Sequence, residues 1–329
     1  EIYTLSLHDA LPILAFPHIQ RGDIILLGRH KLICGDSTKS EDINKLMAGT
    51  DGASLLITDP PYNVALGTES GHALRPSEAK QLHRRTDGLV IANDSWENDA
   101  DFIEILKTCY ENALNHMTDG APYYIWYAST QSYNFLEASK QAGMEIREQL
   151  IWVKSTFALG RQDYHWRHEP CLYGWKDGAA HYFVDDRSQS TIFDDNADID
   201  KMTKQEMQAM LHEIMENHST TVLYEAKPTY NDLHPTMKPV KLIGRLMKNS
   251  SKPGDIVLDI FGGSGTTLIA AEQLGRTCYM VEYDPSYAEC IVDRYVNLTG
   301  DKDGVCIMRG EQNLTYDEIK SGIEESVEE

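Results

Sequence analysis

The chain is short of cysteine pairs, of positive charge and of long apolar runs, and each shortage excludes something. Its six cysteines, Cys34, Cys109, Cys171, Cys278, Cys290 and Cys306, form no C-x-x-C pair and no cluster with metal-ligand spacing. No disulfide framework and no bound metal are therefore expected. Buried thiols in a reducing cytosol are, and with them a cytoplasmic location. No stretch approaches the ~18 consecutive apolar residues of a membrane span. Lys plus Arg number 30 against 51 Asp plus Glu, a formal charge of −21, which as a bulk property speaks against a polyanionic partner. The acid is uneven, however. Residues 194–216 and 311–329 carry about half of the excess, and the remainder includes locally basic stretches. Bulk charge therefore weakens a nucleic-acid partner without excluding one.

What is present is an alternation of strand-like and helix-like segments. HKLICGD reads as a strand, SEDINKLMAG as a helix capped by Ser40, and ASLLITD as a buried strand that runs into Asp-Pro-Pro-Tyr. Residues 67–91 read as a long loop, basic at Arg75, Lys80, Arg84 and Arg85. Beyond it the pattern predicts a helix over 99–116, a strand in APYYIWYA, a helix over 130–142, and strands in IREQLIWVK and HEPCLYGWK. A helix over 240–249, the strand GDIVLDIF, a helix over 266–274, the strand TCYMVEYD and a helix over 286–298 complete the series. Such alternation predicts a mostly parallel, doubly wound α/β sheet, whose ligands bind at the carboxyl ends of the strands. The first thirteen residues, EIYTLSLHDALPI, lack the basic start and cleavage site of a signal peptide. They resemble translated adapter read-through and are set apart as a non-native leader, with the true N-terminus expected to be missing.

Two motifs carry chemistry, and both end strands. Phe261-Gly262-Gly263-Ser264-Gly265-Thr266-Thr267 follows a strand whose last acid is Asp259, and it opens a helix. Glycines let the backbone approach a ligand closely, and a helix N-terminus offers free N–H groups. A dinucleotide fingerprint would want a further Gly at Leu268, and a phosphate-binding loop would want a Lys before Thr266; neither is there. Glu282 ends the next strand roughly 20 residues on, where an acid accepts ribose hydroxyls. Turn and acid together point to a nucleoside-containing cofactor, although either alone also fits an ordinary turn or a solvated strand end.

Asp59-Pro60-Pro61-Tyr62 is the sharper motif. Two prolines fix the turn, so the Asp59 carboxylate and the Pro60 carbonyl can face one small site. An exocyclic base amine is a poor nucleophile because its lone pair is delocalised into the ring. Two acceptors gripping its hydrogens favour a pyramidal nitrogen that can attack an activated methyl without a covalent enzyme intermediate. Tyr62 offers a π-face to an unstacked base, worth ~1–3 kcal/mol, and the base must leave the duplex to reach it.

These motifs, with LGRHKLICGDST (27–38), TDPPYNV (58–64), GRQDYHWRHEPCLYGW (160–175), LHPTMKPVKLI (233–243) and the block 252–285, resemble the beta-class amino-methyltransferases of DNA. The likeness runs from about Gly22 to Gly300, and is greatest to the adenine-specific methylases of prophages and those downstream of ParB-like domains. It implies a Rossmann-like, circularly permuted methyltransferase domain over 22–310, with the catalytic motif ahead of the cofactor motif. A variable target-recognition insertion would occupy 176–232, and 311–329 would form an acidic tail. It implies S-adenosylmethionine as cofactor, double-stranded DNA as partner and N6 of adenine as the methylated atom.

The same resemblance makes Asp59, Pro60, Pro61 and Tyr62 the catalytic motif. Phe261, Gly263, Ser264, Gly265 and Thr266, with Asp259 behind them, would surround the methionine part of the cofactor. Glu282 would take its ribose, Asp36 would lie by its adenine, and His234, Thr236 and Lys238 near its carboxylate. Asn63, Arg161, Tyr164, Trp166 and His168 would line the target-base side, with Arg75, Arg84 and Arg85 on phosphates. Core packing explains the aromatic block equally well, and a solvated loop face explains the arginines. Pro170-Cys171 mimics the nucleophile of cytosine C5 methylation, but Cys171 lies within a strand-like run and reads as structural. N4 of cytosine and a non-catalytic phage remnant stay open as alternatives, and the resemblance admits a homodimer and an upstream fused domain.

Overall fold

A computed structural model describes residues 17–63, 96, 98–154, 163–185, 203–205, 208, 222–224 and 237–325. The most apolar runs make the centre. β3 (Leu55–Thr58) and β4 (Pro122–Trp126) are buried at every residue, because both faces of the sheet are covered and alternation is lost. Beside them lie β8 (Ile256–Asp259), β9 (Thr277–Glu282) and β2 (His30–Cys34). The five strands β2-β9-β8-β3-β4 are all parallel to their neighbours.

Both flanks depart from the predicted parallel pattern. On one side β1 (Ile24–Leu27), β10 (Val305–Arg309) and β11 (Gln312–Thr315) add antiparallel strands. On the other, β6 (His168–Trp175) and β5 (Ile146–Val153) are antiparallel, and β7 (Val222–Tyr224) runs parallel to β5 at the edge. Among the described residues the sheet thus has eleven strands. β7 comes from the expected insertion, so that segment contributes to the sheet rather than only decorating it.

Two sets of helices pack against the parallel centre. One contains α1 (Ser40–Met47), α2 (Asp99–Leu114) and α3 (Ser132–Gln141); the other contains α4 (Val240–Ser250), α5 (Thr266–Gln273) and α6 (Pro285–Thr299). α6 starts on Asp284, whose carboxylate accepts from Ser286 N at 2.8 Å, with Pro285 in the first turn. Ser40 does not cap α1 as predicted; it is the first helical residue, and Lys39 takes the cap position. The preceding turn is closed instead by Asp36, whose Oδ1 accepts from Thr38 N at 3.0 Å, and by Asp42, which accepts from Asp36 N at 3.0 Å.

The acidic tail is also corrected. Residues 312–325 form β11 and α7 (Tyr316–Glu325). Lys320, the one Lys or Arg of residues 311–329, ties α7 to Glu289 at 2.7 Å and to Asp293 at 2.9 Å on α6. All six cysteines are free thiols, five of them buried. Among the described residues no helix is long and apolar enough to cross a membrane.

Register decides where chemistry collects. Cys34 pairs with Glu282, Asp259 with Met280, and Leu56 with Leu258 on one side and Tyr123 on the other. The carboxyl ends of β2, β9, β8, β3 and β4 therefore lie side by side, and both sequence motifs emerge there.

Candidate active site

Asp59 leaves β3 into the two-proline turn, and its side chain keeps 25% of its surface open. Tyr62, three residues on, turns its hydroxyl back to donate to Asp59 Oδ1 at 2.5 Å. Its ring is 8% exposed and stands edge-on to Phe135, with centroids 6.2 Å apart. The face expected to receive a base is therefore turned inward, because the hydroxyl finds its acceptor on Asp59.

Lys238, expected near a cofactor carboxylate, lines the cavity and reaches the Asp59 turn. The side chain is 3% exposed, and Nζ lies 2.6 Å from Asp59 Oδ2 and 3.1 Å from Glu169 Oε2. It also donates to the Tyr62 hydroxyl at 2.9 Å. The physical reason is burial: an ammonium taken out of water requires acceptors, and two carboxylates supply them. Behind Glu169, Lys154 closes a second ion pair. Burial would raise Glu169, but the Lys238 and Lys154 ammoniums overcome it and hold that carboxyl down to about 2. Burial raises Asp59, with Lys238 opposing and Glu169 adding to the rise. The two carboxylates, against the cost of burial, hold Lys238 above its ordinary value.

The glycine turn follows β8 in the neighbouring strand. Gly263 has φ +52° and Gly265 φ +79°, the left-handed region where a side chain is strained. A Cβ on Gly265 would also lie 2.9 Å from Ile291. Gly263 N donates to Glu282 Oε2 at 2.6 Å, and Asp284 N to Glu282 Oε1 at 2.8 Å. Burial nevertheless dominates and pushes Glu282 up to about 8. Asp259 likewise rises to about 7 through burial, while its Oδ1 accepts from Phe261 N at 3.1 Å. The Gly35-Asp36 turn is drawn in by Gly35 N donating to the Glu282 carbonyl at 2.9 Å and Ser37 Oγ to the Ile260 carbonyl at 2.5 Å.

One cavity of about 380 Å³ joins these parts. Asp36, Glu282 and Phe261 line it with Gly263, Ser264, Thr266 and Asp259, and so do Asp59, Pro60, Pro61, Tyr62 and Lys238. Volume and mixed lining suit a nucleoside-sized ligand. Sequence reasoning missed Lys154 and Glu169 at the site, and Trp96, Trp126 and Tyr283 in the cavity wall. Glu169 carried a signal: it is the one acid in the apolar run HEPCLYGW, and a charge inside such a strand needs a partner.

The expected base side is partly assembled. Asn63 has φ +54°, and its Oδ1 accepts from Trp96 N at 2.5 Å, so this side chain fastens the turn. His168 Nε2 lies 3.3 Å from Ser129 Oγ and its ring 5.4 Å edge-on from Trp166. Trp166 is 40% and Tyr164 91% exposed. Arg75, Arg84, Arg85, Arg161, His234 and Thr236 lie outside the described residues. Cys171 is fully buried opposite Trp126, and burial pushes its thiol well above the ordinary range, as befits a structural residue.

The DNA methylase family (N6_N4_Mtase) matches residues 53–293. DNA adenine methyltransferase YhdJ of Escherichia coli (strain K12) is 27% identical over 268 residues, which cover 78% of this chain and 79% of that protein. Type II methyltransferase M.BglII of Bacillus subtilis is 24% identical over 180 residues, 51% of this chain and 46% of that protein, so the match spans about half of each. Among solved structures, the M1.HpyAVI–SAM complex superposes with a TM-score of 0.52 at 17% identity, covering 81% of this chain and 98% of that one. PvuII DNA methyltransferase (cytosine-N4-specific) gives 0.53 at 14% identity, covering 93% of each chain. At such identities the two structures speak for the fold alone, a Rossmann-like methyltransferase sheet. The matched family takes in β3 with its Asp-Pro-Pro-Tyr turn, the glycine turn after β8 and the acid that ends β9, and the chain belongs to the DNA methylases.

Proposed function

We propose that this chain is an S-adenosylmethionine-dependent methyltransferase that acts on N6 of adenine in double-stranded DNA after the base is flipped out. The observation that carries the reading is the single cavity shared by the Asp59 turn and the Glu282 wall. Its residues fit the cofactor. Glu282 is a buried carboxylate at the cavity surface, suited to accept ribose hydroxyls, and the left-handed glycines bring backbone close to the ligand. When bound, S-adenosylmethionine supplies a methyl group activated on a sulfonium sulfur. Phe261, Gly263, Ser264, Gly265 and Thr266 hold its methionine part, and Asp36 lies towards its adenine.

Asp59 and the Pro60 carbonyl then accept the two hydrogens of the target amine and leave its lone pair free. The entering amine competes with the Tyr62 hydroxyl for Asp59 Oδ1, so base entry and release of Tyr62 are coupled. Freed of that bond, the Tyr62 ring is available to stack on the base. The E. coli relative is named an adenine methyltransferase and supports adenine. N4 of cytosine is the second reading, supported by the fold shared with a cytosine-N4-specific enzyme.

Incubation with methyl-labelled S-adenosylmethionine and mixed genomic DNA, followed by mass spectrometry of the nucleosides, tests this. N6-methyladenine is expected. N4-methylcytosine alone would move the enzyme to the second reading, and C5-methylcytosine or no product from folded protein would overturn both.

A further inference from the structure

We propose that Lys238 is a positioning residue for Asp59, and that Glu169 at the start of β6 holds Lys238 in place for it. The inference rests on the proposed methyl transfer and adds two residues to its machinery. An ammonium has three N–H donors. Two of them go to Asp59 Oδ2 at 2.6 Å and the Tyr62 hydroxyl at 2.9 Å, and Glu169 Oε2 stands 3.1 Å away as an ion pair. The Tyr62 and Trp126 rings, each with its centroid 5.3 Å from Nζ, confine the head further.

Stability is a poor explanation for this arrangement. Buried ion pairs often contribute less than apolar residues of the same volume, because desolvation offsets the attraction. Four charges, Lys154, Glu169, Lys238 and Asp59, converge from the end of β5, the start of β6, the residues before α4 and the end of β3. Lys238 and Asp59 line the cavity itself, where a fixed acceptor costs no reorganisation when the amine arrives. An acceptor must also be ionised, and a buried carboxyl without a cation tends to keep its proton. The titratable groups facing Asp59 are Lys238, Tyr62, Glu169 and Cys171, with Asp259 beyond on β8. Of these Lys238 is the cation, and it is the group that opposes a proton on Asp59.

The test compares Lys238→Met with Glu169→Gln for turnover against pH, cofactor affinity by calorimetry, and the titration of Asp59 by carboxyl-carbon NMR, assigned with Asp59→Asn. Lys238→Met should move the Asp59 midpoint up by about two pH units, equivalent to a ~100-fold tighter hold on the proton. Turnover should fall to match and recover partly as pH rises, with cofactor affinity within about threefold of wild type. Glu169→Gln removes a negative neighbour and should move the midpoint the other way, while plateau turnover falls because Lys238 is no longer held. Opposite shifts are what a merely structural role would not produce. Lower turnover with an unmoved midpoint in both variants would overturn the proposal. So would a cofactor affinity more than tenfold weaker in Lys238→Met with turnover retained at saturation. Should Lys238→Met not fold, Glu169→Gln decides by the direction of its shift. The NMR titration needs no turnover, so a wild-type protein inactive on DNA would count against the proposed function and leave this inference to stand or fall by itself.

Discussion

The two ends of the cavity each present a carboxyl raised by burial, and they meet it with different partners. Glu282 is met by backbone N–H groups, from Gly263 and Asp284, and burial drives it up to about 8. Asp59 is met by a lysine ammonium at 2.6 Å. Backbone amides soften the cost of a buried charge, whereas a full cation can cancel it. The cofactor end is therefore poised to ionise when hydroxyl donors arrive. At the proposed catalytic end Lys238 opposes the rise, while burial and Glu169 still leave Asp59 above its ordinary value. Distance along the chain separates them too: Gly263 is 19 residues from Glu282, but Lys238 is 179 from Asp59.

The comparison breaks most sharply at Asp59. Asp59→Ala removes the acceptor used in the transition state, and turnover should drop by on the order of 10³-fold or more, with calorimetric cofactor affinity little changed. An Asp59→Ala protein that still methylates DNA would remove the distinction between the two ends.

Glu282→Ala should act at the other end, weakening the cofactor by roughly 1–3 kcal/mol through lost charge-assisted hydrogen bonds. Glu282 also gives the wild type a pH signature. Its folded value of about 8 lies above the ordinary 4.5, so the folded state holds the proton more tightly than the unfolded chain. Its contribution to stability is therefore fully present below about 4.5 and is lost as pH rises through about 8. Cofactor affinity should run the opposite way, strengthening over the same window as the carboxylate forms. Glu282→Gln should flatten both curves, and denaturant melts with paired titrations would reveal it if they do not.

Gly265→Ala sharpens the role of the local turn. Its φ of +79° and the 2.9 Å approach to Ile291 predict a loss of about 1–3 kcal/mol in stability. The measurement is thermal unfolding. An unchanged melting temperature would mean that the turn tolerates a side chain.

The smallest effect is expected from Tyr62→Phe, which keeps the ring and deletes the hydroxyl on Asp59. A few-fold change in kcat with intact cofactor binding is expected, since one hydrogen bond contributes about 1 kcal/mol. A loss as deep as that of Asp59→Ala would mean that the hydroxyl, rather than the ring, is what the reaction uses.

The same contrast explains what was legible in the residues. The segment from Asp259 to Asp284 is a strand, a turn, a helix and a strand in unbroken order, so its glycines and its acid could be placed by local rules. The turn at Asp59 was legible for the same reason, two prolines after a buried strand. The contacts of Lys238 with Asp59 and Glu169 were not legible, because they join segments far apart in the chain, which no local pattern reports. β1, β10 and β11 were missed, and 311–329 read as tail, because short edge strands are recognised mainly by the neighbours they pair with.

By itself, then, the order of residues determined the alternation of strands and helices, the two motifs at strand ends and the family they belong to, since apolar periodicity and turn chemistry act over a few residues. The tertiary structure alone decided that Lys238 and Glu169 stand behind Asp59, that Tyr62 turns inward and that the acidic C-terminal segment docks on α6 through Lys320. Those contacts join residues far apart in the chain, and it is the parallel register of the sheet, with the helices packed on it, that carries them to one place.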